Sequence, residues 1–184
     1  MSNNIPEIEE LIKQFSKLPG LGPKSAKRII LKLIQNKENM VKPLAKSLAT
    51  VYKNVVRCNN CGNLKISTNK CICEEVGKFD KICIVESLAD MWVIESANIF
   101  KGYYHILGGN INSSEKNDNK NLLIDSLIRR IKSNNLKEVI IATSATIEGQ
   151  TTAHYIEDVI QNDKLKITKL AQGLPVGGEI EQLD

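Results

Sequence analysis

Apolar residues recur three or four positions apart over the first third of the chain, and this spacing predicts helices. The first helix starts with Pro6 in its first turn, where a proline is tolerated because no backbone donor is needed there. Pro19-Gly20-Leu21-Gly22 interrupts it, and Pro23 opens a second helix. A third helix is predicted from Pro43 to about Val56. The apolar positions of the first two helices are Ile5, Ile8, Leu11, Ile12, Phe15 and Leu18, then Ala26, Ile29, Ile30, Leu33 and Ile34.

From Lys81 onward the pattern changes to short apolar runs separated by amphipathic stretches. Ile82-Cys83-Ile84-Val85 is typical of a strand that is buried on both faces. The predicted strands are residues 82–85, 103–107, 138–143 and 165–170, and the predicted helices are residues 88–98, 122–133 and 148–161. Strands that alternate with helices predict an α/β domain with a mainly parallel sheet. Residues 110–121 are polar and are predicted to form a mobile loop.

Between these two regions lie four cysteines within sixteen residues, arranged as Cys58-x2-Cys61 and Cys71-x-Cys73. Four thiolates that are so close in sequence are the usual ligand set of a closed, structural zinc site, which holds a fold and performs no chemistry. We therefore expect one zinc ion per chain. Unligated cysteines left from a degraded site are the alternative interpretation, and a disulfide framework is disfavoured because nothing in the sequence indicates secretion.

The charge of the chain is unevenly distributed. Residues 1–57 carry 11 lysines and arginines against 4 acidic residues, whereas residues 58–184 carry 14 against 17. The positive N-terminal region is thus the better candidate to contact a polyanion, although a solvated helical surface also explains many lysine-rich segments. The N-terminus has no apolar signal region, and no apolar run reaches the roughly 20 residues that span a bilayer, so we expect a soluble, cytoplasmic protein.

The segment from Leu18 to Arg28 has the form of a helix-hairpin-helix. Its glycines permit tight backbone turns, and the free N–H groups at the start of the second helix favour phosphate. Basic residues follow at once on that helix, so the motif predicts contacts with the nucleic-acid backbone and not with the bases. The candidate DNA-binding residues are Gly20, Gly22, Lys24, Lys27 and Arg28.

The order of helix-hairpin-helix, four-cysteine segment and α/β domain resembles the RecR family of bacterial recombination mediators. The matching stretches cover almost the whole chain: Leu18–Ala26, the cysteine segment, Ile82–Glu86, Tyr104–Gly109, Ile147–Gly149, Thr151–Ala153 and Gly173–Glu179. The resemblance implies a helical region at residues 1–56, a four-cysteine zinc finger at 57–80, a Toprim domain at 81–173 and the start of a C-terminal segment at 174–184. It also implies a non-enzymatic protein that acts with RecO and RecF to load RecA onto gapped DNA and that forms tetrameric rings around DNA.

Two departures from the family pattern bear on these expectations. The family spaces its cysteines as C-x2-C-x8-C-x2-C, whereas here Cys71 is displaced by one position and Lys70 stands where the third ligand is expected. This displacement predicts an altered zinc site. The sequence also ends at Asp184, where the family continues with a strand and helix used in ring assembly. We accordingly expect this chain to reach a dimer at most, with weak DNA clamping.

Three carboxylates belong to the Toprim pattern. Glu86 follows the first strand, Asp90 lies four residues later, and Glu148 follows the third strand. Catalytic Toprim domains also have an Asp-x-Asp after a later strand, which this chain lacks, so a two-metal phosphotransfer site is not expected. We interpret the three residues as an acidic patch that orients RecO or holds a weak cation, with ordinary helix caps as the alternative. The competing functions are a magnesium-dependent Toprim phosphotransferase or nuclease, and a truncated mediator with impaired assembly.

Overall fold

The computed structural model describes residues 5–111, 122–160 and 165–171. The chain divides into two compact units, Met1–Val55 and Val56–Asp184. Of the sequence predictions, most of the loop at 110–121 lies outside the described residues, and residues 173–179 and the C-terminal segment from 174 onward lie entirely outside them.

The N-terminal unit contains the three predicted helices. They are α1 (Pro6–Ser16), α2 (Pro23–Gln35) and α3 (Lys42–Asn54), and a π-helical turn at Lys37–Val41 precedes α3. Each α-helix has a proline in its first turn, as expected from the fixed φ of that residue. Helices α1 and α2 pack together, and the fully buried side chains of this pair come from α2: Ala26, Ile30 and Leu33.

The second unit begins with the cysteine segment, which contains secondary structure that the sequence pattern did not predict. A two-stranded sheet joins β1 (Val55–Arg57) to β2 (Leu64–Ile66), and a 3₁₀ turn spans Ile72–Glu74. These elements are only three residues long, too short to produce a hydrophobic period in the sequence.

The predicted α/β architecture is confirmed. Four parallel strands lie in the order β4-β3-β5-β6, with β3 at Lys81–Val85, β4 at Tyr103–Ile106, β5 at Glu138–Ala142 and β6 at Lys166–Lys169. The helices between them are α4 (Leu88–Ser96), α5 (Ile124–Ser133) and α6 (Ile147–Ile160). Every element lies within a few residues of its predicted position, because buried strands and amphipathic helices both leave strong periodic signals.

Alternation along the strands separates two cores, one on each face of the sheet. Ile82 and Ile84 of β3 pack with side chains of α5 and α6, including Leu127 and Ile156. Cys83 and Val85, which point to the opposite face, pack with Met91 of α4. Tyr103 and His105 of β4 pair with Ile82 and Ile84 of β3, so they lie on the same face of the sheet as α5. The sheet is therefore the middle of three layers, and the residues of β4 that face α5 lie near the cysteine segment.

Candidate functional site

The four clustered cysteines converge on one point. Their Sγ atoms all lie within 4.8 Å of one another, and all four side chains are buried. The Cys58–Cys73 and Cys61–Cys71 sulfur pairs are 3.7 and 3.5 Å apart. Tetrahedral coordination with metal–sulfur bonds of about 2.3 Å requires sulfurs about 3.8 Å apart, so the observed spacing suits a four-coordinate ion. The donor set and its burial are those of a closed metal site.

The displaced third cysteine takes part in this cluster. The backbone is extended at Cys71 and then enters the 3₁₀ turn, where the Glu74 amide donates to the Cys71 carbonyl over 2.9 Å. A second hydrogen bond joins the same two residues, because the Glu74 carboxylate accepts from the Cys71 amide over 3.2 Å. Ile72, between the two thiols, remains exposed, as does Lys70. A local turn thus compensates for the altered spacing.

The first cysteine pair is fixed to the end of the parallel sheet. The amide of Ile106, the last residue of β4, donates to the Cys61 carbonyl over 2.7 Å, and the hydroxyl of Ser126 donates to the Asn60 carbonyl. Gly62 has φ of +77°, and a Cβ placed on it would overlap the Ile106 carbonyl oxygen. This position requires glycine for two independent reasons, its backbone conformation and its close approach to β4.

Two buried thiols of this unit, Cys61 in the cluster and Cys83 in the sheet, differ in acidity. The pKa of Cys61 is lowered to about 5, chiefly because Cys73 hydrogen-bonds to it, and the nearby Arg130 guanidinium contributes in the same direction. By contrast, burial raises the pKa of Cys83 to about 12. Cys83 lies in the core of β3, so it belongs to the apolar interior and not to the cluster.

The predicted helix-hairpin-helix occupies the connection between α1 and α2. Gly20 has φ of +77°, which accounts for a glycine there, whereas Gly22 is extended with φ of −80° and precedes α2. A Cβ at either glycine would meet no atom within 4 Å. Within the described part of the chain, space is therefore open in front of the α2 N-terminus, and no side chain there caps the first amides. Free amides and the positive end of the helix dipole favour an anion at this position.

The basic residues of α2 extend this exposed end. Lys24, Lys27 and Arg28 are all exposed, and the first turn of α2 has no acidic residue. Lys24 lies three residues before Lys27 and four before Arg28, so the three side chains project from neighbouring positions on the helix surface. The buried residues Ala26 and Ile30 occupy the other side. This arrangement suits several contacts with a phosphate backbone, which carry no sequence information directly.

The three predicted acidic residues do not form a compact cation site. Glu86 is occupied by hydrogen bonds: one carboxylate oxygen accepts from the Ser144 amide over 2.5 Å and the other from Asn110 over 3.1 Å. Asp90 caps α4 by accepting from the amide and hydroxyl of Ser87. Glu148 is exposed in the first turn of α6. Among the described residues, only the cysteines bring three or more potential ligand atoms within 4.8 Å of one another.

Several residues next to the cysteine cluster were not singled out from the sequence. Arg130 and His105 are buried together, and the guanidinium donates to His105 Nδ1 over 2.9 Å. Burial, assisted by the charge of Arg130, lowers the pKa of His105 to about 3, so the ring is neutral. Arg57 donates to the carbonyls of Gly62 and Ile106. The sequence did contain one signal for Arg130. It lies three residues after Leu127, so it falls on the buried side of an amphipathic helix, where a charged residue is unusual.

Comparison with protein families gives two matches along the chain. Residues 8–52 match the RecR helix-hairpin-helix model, and residues 80–171 match the Toprim domain model. The first match covers α1 to α3, and the second covers the parallel sheet. No helix in the described part of the chain has both the length and the apolar character that a membrane span requires.

Curated relatives match the chain over nearly its whole length. It is 62% identical to the recombination protein RecR of Pelagibacter ubique over 183 residues, which cover 98% of this chain and 90% of that protein. The RecR protein of Rickettsia felis is 42% identical, again over 98% of this chain and 90% of the relative. That of Orientia tsutsugamushi is 44% identical over 96% of this chain and 88% of the relative.

Proposed function

The chain belongs to the RecR family, and from this premise we propose that it is a DNA-binding mediator of recombinational DNA repair without catalytic activity of its own. The observation that carries the proposal is the exposed start of α2. There, uncapped amides, open space at Gly20 and Gly22, and the cations Lys24, Lys27 and Arg28 occur together. Such a surface binds phosphates without regard to base sequence.

We propose that the cysteine cluster holds one structural zinc ion. Four thiolates suit zinc, and a closed set of four leaves no open position for substrate. Cys58, Cys61, Cys71 and Cys73 would be the ligands, and the ion would hold together a segment whose regular elements are only three residues long. The hydrogen bonds from Ile106 and Ser126 would then fix this segment to the parallel sheet.

The partners proposed for this chain follow from the family resemblance. They are RecO and RecF, with loading of RecA onto gapped DNA as the outcome. Glu86, Asp90 and Glu148 are proposed as an acidic patch toward RecO. Glu148 is exposed and, unlike Asp90, does not cap α4, so we propose it as the member that contacts a partner.

We also propose that the chain self-associates through α3. None of its residues is buried, yet Leu44, Leu48 and Val51 form an apolar stripe at four- and three-residue spacing, with Tyr52 beside it. A second copy of the same helix would offer a complementary stripe in a two-fold arrangement. Light scattering should show an oligomer for the wild type and a smaller species for Leu48→Lys. The exposed substitution Lys46→Ala on the same helix serves as control, and an unchanged mass for Leu48→Lys would exclude this interface.

Salt-dependent DNA binding tests the main proposal. The double substitution Lys24→Ala/Arg28→Ala should weaken binding to all DNA sequences and reduce the slope of log K against log salt by roughly one per lost phosphate contact. Lys46→Ala/Lys53→Ala removes the same charge from exposed positions on α3 and should change the slope less. Equal effects of the two pairs would show that only net charge matters.

A separate assay tests for catalysis. Turnover of DNA with Mg²⁺ that disappears in Glu86→Gln would favour the Toprim enzyme.

A further inference from the structure

Arg130 on α5 is a buried cation whose hydrogen bonds are only partly made. Its side chain is 6% exposed. One terminal nitrogen donates to the Tyr104 carbonyl over 3.0 Å and to His105 Nδ1 over 2.9 Å. Nε and the other terminal nitrogen have no hydrogen-bond partner among the described residues. His105 in turn contacts the Leu123 carbonyl through Nε2 over 2.9 Å, so the guanidinium is held in one orientation by a neutral imidazole.

No carboxylate within the described ranges neutralises this guanidinium. The ion pairs found there, with nitrogen–oxygen distances up to 4.0 Å, involve other cations. The ring of Tyr103 lies 5.7 Å from the guanidinium carbon, and this contact supplies only a weak attraction. A buried charge without a counter-charge is costly, so the position of Arg130 calls for a source of negative charge nearby.

Residues of the cysteine cluster and this cation line the same cavity. The cavity has a volume of about 240 Å³, and Cys61, Cys73, Tyr103 and Arg130 all line it. Two other charged residues, Glu95 and Lys101, contribute to its wall but are exposed, so water screens their charges. Arg130 is therefore the buried charged residue among those that line the cavity with the cysteines. Four thiolates around a divalent ion carry a net charge of −2, which is the counter-charge that the guanidinium lacks.

We propose that Arg130 is a positioning residue for the metal centre, whose buried guanidinium balances the negative charge of the metal–tetrathiolate unit across this cavity. The inference rests on the proposed metal site. Residues outside the ligand set commonly set metal affinity in this way, by orienting ligands and stabilising their charge. Tyr104 and His105 hold the guanidinium in place, and its free N–H groups remain for the sulfurs or for a bridging water.

The test measures Zn²⁺ affinity of the full chain by competition with a chromophoric chelator. Arg130→Gln should weaken binding about 10–100-fold, the range found when such supporting residues are removed. Arg130→Lys keeps the charge and should recover part of the loss. Arg129→Gln removes the same charge from the neighbouring exposed position and should bind like the wild type. The absorption spectrum of Co²⁺ bound in place of zinc shows whether each variant keeps tetrahedral coordination by thiolates.

Two comparisons separate the possible outcomes. A wild-type chain that binds no zinc overturns the metal site itself, whereas wild-type affinity in Arg130→Gln overturns only the role of Arg130. Thermal unfolding with and without zinc separates charge balance from packing. The substitution should cost more stability in the metal-bound form, where the negative charge is larger. If Arg130→Gln loses the same stability with and without zinc, Arg130 only fills space between Tyr103 and His105. This comparison holds even if the variant folds poorly.

Discussion

The two units of this chain place their functional groups in opposite ways. In the N-terminal unit, the fully buried side chains of the described residues are Ala26, Ile30 and Leu33, and the candidate DNA-binding residues are exposed. In the second unit, the four cysteines, His105 and Arg130 are all buried. The first unit contains neither histidine nor cysteine. The candidate binding residues of the first unit are thus exposed to solvent, whereas the metal-binding candidates of the second unit are buried.

This difference shows how each site depends on the fold. The hairpin needs only a turn at Gly20 and a helix that begins at Pro23, both set by nearby sequence. The cysteine cluster needs contacts from far along the chain, such as the Ile106 amide at Cys61 and the Ser126 hydroxyl at Asn60. We therefore expect mutations to affect the hairpin locally and the cluster through the stability of its whole unit.

Removing a metal ligand should produce the largest effect. Cys61→Ser should reduce zinc from one ion per chain to nearly none and destabilise the second unit, because structural zinc contributes on the order of 10 kcal/mol to folding small modules. Metal analysis and thermal unfolding measure both quantities. Cys83→Ala removes a buried thiol from the sheet core and should retain zinc. Full zinc occupancy in Cys61→Ser would contradict the four-ligand site.

Two glycines with similar backbones test the close approach of the cysteine segment to β4. Gly62 and Gly77 have φ of +77° and +81°, but only at Gly62 would a Cβ meet another atom, the Ile106 carbonyl oxygen. Gly77→Ala should cost about 1 kcal/mol from backbone strain alone. Gly62→Ala should cost roughly 2–4 kcal/mol, since β4 or the turn that follows Cys61 must also shift. Chemical denaturation with zinc present measures both, and equal costs would show that the contact is not tight.

Acidification should affect the second unit through His105. Its folded pKa of about 3 lies below the unfolded value of about 6.5. The unfolded chain therefore takes up this proton first, and stability falls as pH drops below about 6.5 and continues to fall toward pH 3. By pH 5 the loss is about 2 kcal/mol. The unfolding free energies of the wild type and of His105→Gln are measured over this pH range. Loss of zinc at low pH affects both proteins, so the difference between them reports His105. A difference that does not change with pH would contradict this role of His105.

The sequence by itself was sufficient for the α-helices, the four parallel strands and the helix-hairpin-helix. Helical spacing from Ile5 to Leu18, the proline and glycines around residue 20, and the apolar run Ile82–Val85 are local patterns, and each predicted the element that is present. The cysteine spacing likewise indicated a metal site, because four thiols within one short segment are the usual ligand set of a structural zinc ion.

Only the tertiary structure decided what surrounds the cysteines. Cys71 was expected to disturb the site, but the 3₁₀ turn brings it into the cluster. Glu86 matched a cation-binding pattern, yet its oxygens accept from Ser144 and Asn110, which lie far away in sequence. Arg130 is 57 positions after Cys73, and nothing in the sequence links the two. Their proximity arises because strand β4 and helix α5 pack against the cysteine segment, and contacts between such distant residues leave no periodic signal in a single sequence.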